Sequence, residues 1–242
     1  MALWLLRAAA AVHESRDWLT ALDAAIGDGD HGINLDRGLA AVAQRIDLGG
    51  MLRDAPGGAG VGRAGAADPA AAGPGVSDAG AAGAGALLTM AGTTILGSVG
   101  GAGGALYGRA FLAAGRRIGE LTGATPPADD RAIAVEAFDA AVAAISVLGR
   151  SAAGEKTMLD ALVPAAGALR SGSARGAPIA DCLEAAADAA RRGALDTIPM
   201  VARKGRASYL GERSVGHQDP GAASSVILVS ALADVAANRR GG

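Results

Sequence analysis

The sequence predicts an all-α fold, a closed bundle of about eight antiparallel, up-and-down helices. Apolar residues recur at helical spacing in successive stretches, no stretch reads as a convincing strand, and most connections are short. The chain has 242 residues, and a hydrophobic content of 50% with mean hydropathy +0.29 is ample for a core. Only 2% of residues are aromatic, so packing has to come from close approach of thin helices carrying Ala, Leu, Ile and Val.

In the first helix Trp4, Ala8, Val12, Ser15, Leu19, Leu22 and Ile26 fall at helical spacing and deliver Asp23 at the C-terminal end. Trp4 and Trp18 read as core residues. A second helix, capped by Asn34, is expected to run to Ile46. From Gly49 to Gly85 the chain is rich in Gly, Ala and Pro with almost no large apolar side chain, and it cannot bury enough surface to order itself. Helical spacing resumes over Ala86–Leu96 and again over Leu106–Leu121, with the glycine-dense Ser98–Gly108 between them. Glycines that dense allow either a ligand or a neighbouring helix to lie against the backbone. Pro126, Pro127, Asp129 and Asp130 open a fifth helix ending at Gly149, and Gly154 opens a sixth ending near Arg170. The seventh spans Ile179–Val201, bent at Pro199. The last starts with Asp219 as N-cap and Pro220 at the first helical position, and ends near Asn238.

Net charge of −2 gives no electrostatic case for nucleic acid as a partner. The lone Cys182 excludes an intramolecular disulfide, fits a reducing compartment and reads as a small buried hydrophobe. Met1–Val12 is apolar but lacks a basic leader and is interrupted by Arg7, which argues against a signal peptide. No run of eighteen uncharged apolar residues has membrane character, so the expectation is a cytoplasmic protein with no stable membrane insertion.

Chemistry concentrates in Asp23–Asn34, which reads Asp-Ala-Ala-Ile-Gly-Asp-Gly-Asp-His-Gly-Ile-Asn. Asp23, Asp28 and Asp30 supply hard oxygen ligands, and the glycines let the backbone fold tightly enough for the carboxylates to converge. Such a set favours Mg²⁺ or Ca²⁺ over zinc, and Mg²⁺ held by few carboxylates completes its shell with water and phosphate. A solvated Asp/Gly turn is the alternative, and the third Asp and the adjacent His31 weigh against it. An EF-hand fails, because counting from Asp28 puts Gly32 at position 5 and Leu39 at position 12. Near the other end, Arg203, Lys204, Arg206 and Arg213 form a cationic loop before Asp219, beside the positive end of the last helix. Gly60–Gly65 fits a dinucleotide fingerprint by chance of composition, with no strand before it. The Gly149–Thr157 stretch has Glu155 where a P-loop needs lysine.

Four segments in order, Ala21–Asn34, Ser98–Gly108, Gly154–Asp160 (Gly-Glu-Lys-Thr-Met-Leu-Asp) and Lys204–Gly221, closely resemble the dihydroxyacetone kinase L subunit family, DhaL. The similarity spans nearly the whole chain outside the Gly/Ala tract. The resemblance implies one domain over residues 1–242, with the tract at 49–85 as a flexible insertion. It implies a helical barrel carrying an adenine nucleotide, ADP or ATP, with two Mg²⁺ ions at one end. By resemblance Asp23, Asp28 and Asp30 hold the metal, while His31, Gly32, Ile33, Asn34, Ala102, Gly103, Gly154, Arg206, Asp219, Pro220 and Gly221 line the nucleotide. It also implies a separate K subunit that binds dihydroxyacetone, and either an M subunit of the phosphotransferase system or free ATP as phosphoryl donor. Another ketose such as erythrulose stays open as acceptor, as does a homodimer.

The chain departs from the family pattern at Gly103, where serine is usual, at Ala105, where proline is usual, and at Glu155, where aspartate is usual. Arg206 is the candidate for stabilising transition-state charge, with Lys204 and Arg213 behind it. His31 is either a general acid/base or a packing group against the nucleotide. A rival of another class is a non-catalytic helical module that holds a lipid or other apolar ligand and uses the acidic loop as a structural metal site.

Overall fold

The computed structural model describes residues 1–54, 80–124 and 128–238. Among these the chain forms eight α-helices: α1 (Ala2–Ile26), α2 (His31–Asp54), α3 (Gly80–Ser98), α4 (Gly101–Thr122), α5 (Asp130–Gly149), α6 (Leu159–Ala174), α7 (Ile179–Asp196) and α8 (Pro220–Asn238). A 3₁₀ segment, Arg206–Ser214, lies between α7 and α8 and is kinked at Gly211. No strand occurs among the described residues.

Every helix packs on the next in sequence, and α8 packs back on α1, so the bundle closes on itself. The closure is pinned by the Trp4 indole, whose N–H donates to the Leu228 carbonyl at 2.9 Å, and Trp4 also meets the Phe111 ring edge-on at 5.7 Å. One core joins all eight helices, with Leu5, Val12 and Leu19 of α1 fully buried, as are Leu39, Ile95, Ile145 and Leu169. Within it lies an apolar cavity of about 700 Å³, lined in part by Trp4, Leu87, Phe111, Ile133, Leu183 and Val229. Cys182 is buried against α6 at Gly172.

Small residues set the helix spacing. A Cβ on Gly92 would lie 2.7 Å from the Gly108 carbonyl, and one on Gly115 would lie 2.7 Å from the Gly85 carbonyl, so α3 and α4 touch backbone to backbone. The glycine-dense segment is therefore used twice, for this crossing and, at its N-terminal end, beside the candidate site.

Several boundaries differ from the sequence expectation. Asn34 is not a helix cap: its N–H already donates to the Asp30 carbonyl at 2.9 Å, and α2 begins at His31. The Asp23 carboxylate takes over the capping role from outside the segment, a contact that local spacing does not encode. Trp18 is 49% exposed, because the buried stripe of α1 passes through Leu19 and Asp23 and leaves its neighbour facing outward. Residues 154–158 form a tight loop before α6, and α7 stops at Asp196, ahead of Pro199. The expectation of a flexible Gly49–Gly85 tract falls mostly outside the described residues, while its two ends belong to α2 and α3, where alanine favours helix. The Asp219 cap stands as expected, its carboxylate accepting from Ala222 N at 2.7 Å, and Asp129, within the expected start of the fifth helix, proves to be its cap by accepting from Ala132 N at 2.8 Å. α5 and α8 are each long and apolar enough to cross a membrane, and α8 has more than half of its apolar window buried in the bundle.

The glycine contacts make a paired stability prediction. Gly115→Ala should destabilise by about 1–3 kcal/mol through overpacking against α3. Gly167→Ala, in α6 with nothing within 4 Å of the added carbon, should instead stabilise by about 0.4–1 kcal/mol by restricting the unfolded chain. Urea unfolding of the two variants should give shifts of opposite sign.

Candidate active site

The acidic turn is built from the end of α1 and the start of α2. Asp23 sits in the last turn of α1, buried, and its Oδ2 accepts from the backbone N–H of Asp30 at 2.9 Å and of His31 at 3.1 Å. One carboxylate thus satisfies two of the free donors at the start of α2 and folds the turn back on itself. Gly27 is needed because any side chain there would collide with that carboxylate, and Gly29 takes a left-handed φ of 71°. The result places one oxygen from each of Asp23, Asp28 and Asp30 within 4.8 Å of the others. Three hard anionic donors this close fit a divalent cation such as Mg²⁺, with Asp23 Oδ1 free of the backbone contacts that occupy Oδ2.

Arg206 reaches this turn from the far end of the chain, its guanidinium 2.9 Å from Asp28 Oδ2. Ile26, near the end of α1, joins Ala202 and Ala207 in a small apolar cluster. The acidic and basic loops therefore meet directly, through this ion pair.

In the first turn of α2, His31 Nε2 lies 2.8 Å from Ser224 Oγ of α8. Ser224 and Ser225 both bond the buried Tyr107 hydroxyl, at 2.7 and 2.9 Å, and Tyr107 also donates to the Gly221 carbonyl at 3.2 Å. Burial pushes the Tyr107 pKa up to about 12, against the hydrogen bonds from the two serines, so it stays a neutral phenol. Burial also holds His31 below its ordinary value, although the Asp23 and Asp30 carboxylates pull it up. A cleft lies beside His31, lined by Asp30, His31, Asn34, Gly101, Gly103 and Tyr107 among others. A Cβ on Gly103 would stand 3.2 Å from His31 Nδ1, so the hydroxyl expected here by resemblance is replaced by bare backbone facing the imidazole. Gly32 packs on the α1 backbone at Arg16 and Thr20, while Ile33 is 44% exposed. The Ala102 side chain lies outside the described residues.

The remaining expected residues belong to a second network, in which Asp219 and Pro220 are buried and Gly154 is exposed. Asp160, in the first turn of α6, accepts from the N–H of Gly154 and, at 2.7 Å, from that of Thr157. Asp219 caps α8, and its own N–H donates to Thr197 Oγ1 at 3.0 Å. Pro220 is buried beside it, and a Cβ on Gly221 would stand 3.4 Å from that of Met158. Burial pushes the Asp219 carboxyl up to about 7; the Asp160 and Asp23 carboxylates add to the rise, while the Ala222 N–H and the Lys156 ammonium oppose it. The structure thus brings Asp23, Asp28, Asp30, His31, Asn34, Gly103 and Arg206 to one place. It joins Gly154, Asp219, Pro220 and Gly221 through Asp160, Lys156 and Met158.

A model of the DAK2 domain matches residues 70–234. The chain belongs to the DAK2-domain family. It is 36% identical to the ADP-binding subunit DhaL of the PEP-dependent dihydroxyacetone kinase of Escherichia coli, over 95% of this chain and 93% of that one. It is also 36% identical to the L-erythrulose 1-kinase of Mycolicibacterium smegmatis, over 88% of this chain but only 31% of that protein. The crystal structure of the dihydroxyacetone kinase from C. freundii in complex with AMP-PNP and Mg²⁺ superposes with a TM-score of 0.64 at 25% identity, covering 97% of this chain and 33% of that one.

Within this DAK2-domain chain, sequence reasoning missed Ser224, Tyr107, Thr197, Lys156 and Asp160 as parts of the site or its support. The Ser-Ser pair one turn after the Asp-Pro-Gly cap and the tyrosine inside a glycine-rich helix start were the available signals. Neither shows its partner, because His31 and Ser224 are 193 positions apart.

Asp219 gives a pH prediction. Its pKa of about 7 in the folded chain, against an ordinary 3.8, means the native state keeps this proton when the unfolded chain has lost it. Its contribution to stability is therefore present below pH 4 and falls away as pH rises toward 7, at about 1.4 kcal/mol per pH unit for one fully linked proton. Asp219→Asn retains a capping oxygen. Melting curves from pH 4 to 7.5 should show a shallower decline for that variant than for the wild type.

Proposed function

We propose that this chain is the nucleotide-binding L subunit of a dihydroxyacetone kinase, passing a phosphoryl group from Mg-bound adenine nucleotide to dihydroxyacetone held on a separate K subunit. The observation that carries the reading is the convergence of Asp23, Asp28 and Asp30 beneath Arg206. It occurs in a chain similar over nearly its whole length to an ADP-binding DhaL subunit. On this reading residues 1–242 form one helical domain of antiparallel, up-and-down helices with the nucleotide at one end and the Gly/Ala-rich tract as an insertion. The phosphoryl donor is a phosphotransferase-system M subunit, as the PEP-dependent relatives suggest, and the protein works in the cytoplasm.

Asp23, Asp28 and Asp30 hold two Mg²⁺ ions in this proposal. Bound magnesium would neutralise phosphate charge, leaving transfer mainly a matter of positioning and electrostatics. The chain's own contribution is the frame. Asp23 fixes the start of α2, so His31, Gly32, Ile33 and Asn34 present one side of the cleft and Ala102 and Gly103 the other. Gly154 and the Asp219–Gly221 cap border it from the second network. Arg206, paired with Asp28 and 69% exposed on its side chain, supplies positive charge to the phosphates. His31, held by Ser224 and kept by burial below its ordinary pKa, serves as a hydrogen-bonding or proton-carrying group at the cleft wall.

Two alternatives carry their own support. The likeness to erythrulose kinases favours an ATP-dependent kinase module for another ketose. The cavity of about 700 Å³ favours a helical binding module for an apolar ligand. That second alternative uses the acidic turn only as a structural metal site and leaves Arg206 without a use. Extraction of the purified protein separates these readings: bound ADP near one per chain supports the cofactor role, and lipid without nucleotide supports the module.

The metal assignment makes a direct prediction. ADP with Mg²⁺ at 100 times its dissociation constant should stabilise the fold by about 2.7 kcal/mol. For a chain of this size that raises the melting temperature by roughly 5–11 °C. Asp28→Asn and Asp30→Asn should each abolish the shift while leaving helical circular dichroism intact. Asp23 is a poorer test, since it also organises the turn. A full shift from ADP in the presence of chelator would overturn the assignment.

A further inference from the structure

Lys156 is the largest fully buried side chain of the described residues, 1% exposed, and the mechanism above makes no use of it. Its backbone takes a left-handed φ of 61°, a conformation seldom adopted by residues with a side chain. The conformation turns the ammonium into the base of the loop between α7 and α8. There Nζ donates to the Thr197 carbonyl at 2.7 Å, the Met200 carbonyl at 3.2 Å and the His217 carbonyl at 2.5 Å, with the Ile198 carbonyl farther off at 3.5 Å. The ammonium's three donors face these carbonyls. Burial holds the Lys156 pKa below its ordinary value, and the carboxylates of Asp219 and Asp160 oppose that shift.

Those carbonyls belong to the two sides of one neck. Residues 198–216 leave the bundle and return to it at the same point, where Gly216 N also donates to the Ile198 carbonyl at 2.8 Å. Farther out, Ala202 N donates to Ser214 Oγ at 2.8 Å and Arg203 N to the Glu155 carbonyl at 3.1 Å. Apolar anchoring is slight, limited to Ala202, Ala207 and Leu210 against Ile26. The loop carries Arg206 to Asp28, so its orientation is set mainly by polar contacts at the neck, and Lys156 makes more of them than any other side chain there.

We propose that Lys156 is a positioning residue, whose buried ammonium closes the neck of the 198–216 loop and thereby holds Arg206 over the acidic turn. The proposal rests on the reading above that Arg206 meets the nucleotide phosphates. It assigns the Gly154–Asp160 segment two jobs: Gly154 and Thr157 bind the α6 cap, and Lys156 sets the arginine loop some fifty residues away in sequence.

The test combines Lys156→Met, Lys156→Gln, Arg206→Ala and the Lys156→Met/Arg206→Ala double variant in the intact chain. Limited digestion of the ligand-free protein by trypsin reads the loop directly, since Arg203, Lys204, Arg206 and Arg213 are all cleavage sites within it. Both Lys156 variants should be cut there about tenfold faster, with cleavage elsewhere unchanged, as a local opening would give. Calorimetric titration with ADP and Mg²⁺ reads the coupling. Arg206→Ala and Lys156→Met should each weaken binding by about tenfold, and the double variant should be no weaker than Lys156→Met alone. A merely structural lysine would lower the melting temperature yet give additive losses. Additive losses, an unchanged loop cleavage rate, or failure of both Lys156 variants to unfold cooperatively would each overturn the proposal. If the wild type does not bind ADP with Mg²⁺, it is the nucleotide reading that falls. The digestion arm then decides the neck clamp by itself.

Discussion

The packing of α8 on α1 is the contact on which the rest of this structure depends. It closes the bundle, seals one core shared by eight helices, and brings the two ends of the chain side by side. The acidic turn stands at the end of α1, and the basic loop precedes α8. Once these helices pair, Asp28 and Arg206 are neighbours, and so are His31 and Ser224. Because large side chains are few, the closure relies on close approach of small residues, with one indole hydrogen bond fixing the register of the pair.

Buried polar groups are spent on holding loops rather than on filling the core. Asp23 ties the start of α2, Asp160 the start of α6 and Asp219 the start of α8, each accepting from backbone N–H groups. Lys156 performs the complementary task for carbonyls at the loop between α7 and α8. No buried side-chain nitrogen or oxygen of the described residues lacks a partner, so the cost of withdrawing these groups from water is met locally. The consequence is a firmly tied frame around a site whose outermost charge, Arg206, is exposed to solvent.

Much of this was legible from the chain. Helical spacing located all eight helices, and the Asp129 and Asp219–Pro220 caps marked two starts correctly, because a cap is a contact between residues three positions apart. The boundaries that failed did so where a distant side chain replaced a local signal. Asn34 has the chemistry of a cap, yet Asp23 reaches across the turn and takes that role. Trp18 has the composition of a core residue, yet the angle between successive residues on α1 leaves it outside.

The sequence by itself determined the fold class and the three-carboxylate turn. Helix propensity, capping and the Asp-Gly-Asp spacing act over a few residues and do not need the rest of the chain to be placed. Only the tertiary structure decided that Arg206 pairs with Asp28, that Ser224 and Tyr107 hold His31, and that Lys156 is buried against three carbonyls. Those contacts join residues tens to nearly two hundred positions apart, and they exist only because the closing of the helical ring fixes which ends of which helices meet.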